Sequence, residues 1–164
     1  MATAFERFKQ TLRIRLLGWL RIPLLGSVRP SVVELDDQHC VIRVPLRRWT
    51  RNHLGSMYFG ALAIGADCAG GLLAVARIRS RKAKVALIFK SFKAEFLKRP
   101  ESDVYFICNE GARISALVDR VLATGERQTE LIPLEAAVRT AAGFEPVARF
   151  ELELSLKPTT GKGI

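Results

Sequence analysis

The chain has 164 residues, about half of them hydrophobic, with 26 lysines and arginines against 16 acidic residues. That length supports one sizeable core, and the hydrophobic share excludes a disordered chain. The formal charge of +10 points to an anionic partner: a nucleic acid, a membrane surface or a phosphate-bearing ligand.

Three cysteines, Cys40, Cys68 and Cys108, lie in apolar or alternating stretches without C-x-x-C spacing. An odd count of this kind fits a reducing cytosol and small core residues. His39 and His53 are the only histidines and stand in no ligand-like cluster, so no metal or other cofactor is expected. Arg13, Arg15 and Arg21 interrupt any apolar core near the N-terminus, which argues against a signal peptide.

In chain order, Thr3-Ala-Phe-Glu6 reads as a capping box. Phe5, Phe8, Leu12, Leu16, Trp19 and Leu20 then recur at helical spacing, which predicts an amphipathic helix over 4–21. Arg7, Lys9, Arg13 and Arg21 fall on its other face. The expectation is a helix packed on the domain with its basic face in water; the competing reading is a weak membrane-surface anchor. Pro23 and Gly26 close the segment, setting residues 1–26 apart from a domain over 27–158 and a frayed tail over 159–164. Residues 31–36 and 39–46 alternate around the turn Asp36-Asp37-Gln38 and predict a hairpin. Val33 and Leu35 share one face; Cys40, Ile42, Val44 and Leu46 share another.

From Leu54 to Ala76 the chain runs 23 residues with one charge, Asp67, a pattern that by hydropathy reads as a membrane span. A carboxylate near the centre of a span costs about 2.5–3.5 kcal/mol on insertion scales. The start, Gly55-Ser-Met-Tyr-Phe-Gly60, reads as a turn. The stretch is therefore read as a helix over 57–78 that is apolar all round and needs cover all round. Arg77, Arg79, Arg81, Lys82 and Lys84 close it at the negative end of its dipole. Strands follow over 84–98 and 102–109. Next come a helix marked by Ile114, Leu117, Val118, Val121 and Leu122 and stopped by Gly125, a strand over 128–139 and a last strand through Phe150, Leu152, Leu154 and Leu156. This is an α+β pattern. A curved antiparallel sheet wrapped around the long central helix supplies the required cover, the architecture called a hot dog, here with an extra N-terminal helix.

Asp67 is the only ionisable residue between His53 and Arg77. A carboxylate kept in such a place serves either as a general base or nucleophile, or as a structural hydrogen-bond acceptor. The segment Gly55, Ser56, Met57, Tyr58, Phe59, Gly60 presents backbone N–H groups at a helix N-terminus, suited to a developing oxyanion, or is an ordinary cap at Ser56. Asn52 is either a carbonyl- or water-orienting amide or a loop residue. Arg79, Arg81 and Lys82, with Arg47, Arg48 and Arg51, either bind phosphates or are solvated.

Taken together, Asn52, Gly55, Gly60 and Asp67 resemble the motif of the phenylacetate-pathway type of hot-dog thioesterases. That motif has an Asn three residues before a Gly, then two residues, His-Gly-Gly, and an Asp seven residues after the last Gly. Tyr58-Phe59-Gly60 stands in the His-Gly-Gly place, so the Asn, both flanking glycines and the Asp match, and the His and middle Gly do not. A related subfamily of uncharacterised thioesterase-like proteins also resembles this chain in its extra helix before the penultimate strand. The resemblance covers about residues 27–157. It implies an acyl-CoA thioesterase in which Asp67 activates water or attacks the thioester, while Asn52 and the Phe59 N–H polarise the carbonyl. It also implies a homodimer, or a tetramer of such dimers, with the Asp and Asn meeting between subunits. A non-catalytic acyl-CoA or lipid-binding module is the alternative. Nucleic acid is not expected as a partner: there is no zinc-finger spacing and no RNP-like aromatic strand, and the charge is dispersed.

Overall fold

The computed structural model describes residues 4–159. The capping residue Thr3 and the tail after Thr159 lie outside them. The elements are α1 (Ala4–Leu20), α2 (Pro23–Ser27), β1 (Ser31–Leu35), β2 (Cys40–Val44), α3 (Phe59–Ser80), β3 (Val85–Phe96), β4 (Val104–Cys108), α4 (Gly111–Thr124), β5 (Gln128–Thr140) and β6 (Gly143–Pro158). The strands form one antiparallel sheet in the order β1-β2-β4-β5-β6-β3. β1 and β3 are its edges, and β3 follows α3 in sequence yet pairs with the last strand, β6.

The sheet holds α3 against its inner face. Two glycines make that approach possible. A Cβ on Gly65 would overlap the Phe106 ring, and one on Gly70 would stand 2.7 Å from Leu152 Cδ1. Around this contact Ile42, Val44, Phe106, Ile132, Phe150, Leu152 and Leu154 are buried. α3 is long and apolar enough to cross a membrane by length and composition, but half of that window is buried within the fold. α4 buries Ile114, Leu117, Val118 and Val121 and stops at Gly125, whose φ of 68° is the left-handed cap that glycine adopts without strain.

Three readings from the sequence need correction. α1 does not pack through its Phe5, Phe8, Leu12, Leu16, Trp19 and Leu20 side, all of which is exposed. It packs through Ile14 and Gly18, because Gly18 allows a close crossing with α2: a Cβ there would lie 2.6 Å from the Gly26 nitrogen. Arg15 reinforces this face by donating to the Pro30 carbonyl at 3.0 Å and to Ser31 Oγ at 2.7 Å. Pro23, read as a stop, instead opens α2, where its fixed φ suits a first helical position. In β1, read with Val33 and Leu35 on one face, a bulge between Val32 and Glu34 shifts the register, and Val32 is the residue buried in the core.

Candidate functional site

α3 is not covered on every side. Ile64, Asp67, Gly71, Leu72 and Val75, at helical spacing, remain half-buried. From Asp67 to Val75 this stripe forms one wall of a cavity of about 760 Å³. The opposite wall is α1 and α2, through Ile14, Leu17, Leu20 and Leu25, and β3 closes a side with Leu87 and Phe89. A volume of that size falls within the roughly 300–1,000 Å³ of small-molecule sites.

Asp67 lies in this apolar wall and has no hydrogen-bond or ion-pair partner among the described residues. Burial raises its carboxyl pKa above the usual aspartate value, with no neighbouring charge to offset the lost hydration. Arg13, Arg21 and Arg79 also line the cavity and are unpaired among the described residues. The pocket therefore combines apolar walls, one partly dehydrated carboxylate and three free guanidinium groups. That composition suits an amphiphile with an apolar chain and an anionic end.

The loop before α3 is tied down by backbone bonds. Asn52 N–H donates to the Ser56 carbonyl at 2.8 Å, Tyr58 N–H to the Thr50 carbonyl at 2.8 Å, and Met57 N–H to the Pro100 carbonyl at 2.9 Å. Gly55 makes the turn with φ of 85°. Asn52 Oδ1 accepts from Leu54 N–H at 2.9 Å and Ser56 N–H at 3.2 Å, and its Nδ2 donates to Ser56 Oγ at 3.0 Å. Asn52 thus holds the loop, and one side-chain N–H is left over. Ser56 is buried in that loop and does not cap the helix. The cap is Tyr58, which makes no side-chain cap bond. Phe59 and Gly60 contribute backbone N–H groups without partners among the described residues, at the positive end of the α3 dipole. The Tyr58 ring lies over Gly60, where a Cβ would approach Cε1 to 2.6 Å, and it packs on the Phe59 ring with centroids 4.6 Å apart.

Within one chain these parts stay separate. Asp67 is eight residues along α3 from Phe59, about 12 Å at 1.5 Å per residue. The two cannot act on one carbonyl carbon in the same protomer.

The chain matches the family model described as a domain of unknown function, DUF4442, over residues 13–156. The chain belongs to this family. No curated protein sequence matches it. Among solved structures, this DUF4442 chain is similar to a thioesterase candidate from Shewanella oneidensis, with a TM-score of 0.76 and 12% identity, covering 92% of this chain and 99% of that one. A Pseudomonas aeruginosa protein of unknown function, described as a probable thioesterase, has a TM-score of 0.74 and 23% identity, covering 91% and 96%. A Haemophilus influenzae thioesterase has a TM-score of 0.61 and 11% identity, covering 98% and 95%. The fold is the hot dog expected from the sequence.

The basic run after α3 divides in this DUF4442 chain. Arg77 is buried and paired with Asp37 at 2.5 Å, and Arg81 pairs with Asp119. Lys82 sits exposed in a left-handed turn with φ of 51°, and Arg79 alone of the run lines the cavity. Arg13 and Arg21 join it from α1 and the turn that follows, positions that the sequence reading assigned to a solvated helix face. The cysteines are free and buried. Burial pushes the Cys40 and Cys68 thiols up and that of Cys108 up to about 11, so none is a thiolate nucleophile near neutral pH.

Proposed function

We propose that the protein hydrolyses acyl-CoA thioesters. The observation that carries this reading is the Asp67 carboxylate, without a partner among the described residues, in the wall of an apolar cavity that also holds three arginines unpaired among those residues. The acyl chain occupies the apolar walls, and Arg79 with Arg13 and Arg21 meets the anionic part of the substrate. Asp67 takes a proton from a water molecule, whose oxygen attacks the thioester carbonyl carbon. The carbonyl oxygen becomes an oxyanion that accepts bonds from Phe59 N–H and the remaining Asn52 N–H. The tetrahedral adduct then collapses, the carbon–sulfur bond breaks, and the proton held by Asp67 passes to the departing thiolate. Burial favours this role, because a carboxylate with a raised pKa is a stronger base.

The 12 Å between Phe59 and Asp67 requires the two halves of the site to come from different protomers. β3 suits that assembly. It is a 12-residue edge strand that exposes Ile88, Phe92 and Phe96, and a long apolar edge invites pairing with a second copy. Such a homodimer brings Asn52 and Phe59 of one chain toward Asp67 of the other.

The second reading, an acyl-CoA or lipid-binding module without turnover, is favoured by two observations. Asn52 is occupied within its own loop, and Phe59 places a ring where the related motif has glycine. The deciding experiment is hydrolysis across acyl-CoA substrates from short to long chains, followed by thiol release, with binding measured in parallel. Turnover supports the thioesterase. Binding without turnover across the whole series moves the protein to the second reading.

A further inference from the structure

α1 has two working faces. Ile14 and Gly18 bury toward the fold, and Ile14, Leu17 and Leu20 help wall the cavity. On the outer side Phe5, Phe8, Leu12 and Trp19, with Leu16 at the border where it also lines the cavity, are between 54% and 78% exposed. At 3.6 residues per turn these five fall within a sector about 80° wide, an unbroken apolar stripe along the helix. A stripe this long on a soluble surface marks a binding face.

The charge of the helix says what the stripe meets. Lys9 borders it on one side, followed by Arg13, which also lines the cavity, and Arg15 borders the other side while donating to Pro30 and Ser31. From Ala4 to Arg21 the segment carries five lysines and arginines and a single acidic residue, Glu6. Lys9 stands 4.2 Å over the Phe5 ring centroid and 3.3 Å from Glu6, so its stem lies along the apolar surface. Aromatic rings in the stripe with cations at its margins fit the boundary between anionic headgroups and acyl chains. A second copy is a poor occupant, because α1 on α1 would oppose like charges across an isologous contact.

We propose that α1 lies in the surface of an anionic lipid bilayer, with the Phe5–Trp19 stripe in the acyl boundary and the cavity on its inner side. Lipid on one face of a helix and an apolar cavity on the other gives an acyl chain a short path between them. The docking itself does not depend on catalysis.

The test uses the full chain carrying Trp49→Phe, which leaves Trp19 as the only tryptophan. Vesicles of equal parts phosphatidylcholine and phosphatidylglycerol should co-sediment the protein and shift Trp19 emission to the blue. Pure phosphatidylcholine vesicles should bind at least ~10-fold more weakly, and added salt should weaken the anionic case. Adding Phe8→Glu and Leu12→Glu should lower anionic-vesicle binding at least ~10-fold. The melting temperature, the light-scattering mass and turnover of a short soluble acyl-CoA should stay unchanged, because neither residue lines the cavity. Absence of vesicle binding by the parent, or equal binding by the double variant, overturns the proposal. So does a fall in oligomer mass on substitution, which would make the stripe a contact between copies.

Discussion

Asp67→Asn separates chemistry from structure at the candidate site. The amide is nearly the size of the carboxylate but can act neither as base nor as nucleophile. If Asp67 activates water, turnover per folded molecule should fall at least ~10²-fold, the usual contribution of a positioned proton-transfer group. The stability effect should have the opposite sign from that of a structural aspartate. A carboxylate holding the fold through a charged hydrogen bond would lose about 1–3 kcal/mol on substitution. Asp67 has no such bond among the described residues, and its charge is partly dehydrated, so the variant should hold or gain stability. The pH dependence follows. The folded-state pKa is raised, so the native chain binds more protons than the unfolded chain between the usual aspartate value and the raised one. The Asp67 contribution is therefore fully present below about pH 3.9, the unperturbed aspartate value. The parent loses it as pH rises through the folded value, and the variant lacks that loss. Denaturant titrations between pH 3 and 8, paired with acyl-CoA hydrolysis rates, measure both. An unchanged rate per folded molecule refutes the catalytic assignment, and a loss of 1–3 kcal/mol with activity tracking the folded fraction makes Asp67 structural.

Gly65→Ala adds a methyl where the Phe106 ring already lies, so stability should fall by at least ~1 kcal/mol despite alanine's higher helix propensity of about 1 kcal/mol. A rise in the denaturation midpoint would mean that α3 does not sit that close to β4. Light scattering at micromolar concentration should give at least twice the chain mass, and a monomer would remove the site shared between protomers.

The elements that were legible in the sequence are those whose pattern is set locally. The β1–β2 turn, α4 with its left-handed Gly125 and the long apolar run of α3, broken only by Asp67 between Leu54 and Ala76, each carry their own signal. What was not legible depends on contacts distant in sequence. Strand order is one case: β3 and β4 are neighbours in the chain, yet β3 joins β6, and no local pattern encodes that. The bulge after Val32 is another, because it reassigns a face without changing composition. In α1 the periodicity correctly marked an apolar side but carried no information about its direction. Gly18 and Gly26, small enough for a close helix crossing, decide that the other side turns inward.

The same division runs through the candidate site. Asp67 stood out as one carboxylate in 23 residues, a signal that survives without any structure, because burying a charge needs a reason. Its setting did not stand out. A helix apolar all round is expected to be covered all round, yet the stripe bearing Asp67 is the part of α3 that the sheet leaves open. The gap accompanies the approach of α1 through Ile14 and Gly18, the latter crossing α2 at Gly26, rather than through its bulky aromatic side, which leaves the 760 Å³ cavity unfilled. Had Phe8, Leu12 and Trp19 packed inward, they would compete for the space beside Asp67. The outward stripe on α1 and the open wall of α3 are thus two consequences of one helix orientation. That is why Arg13 and Arg21, which sequence periodicity placed on a solvated face, line the same cavity as Asp67.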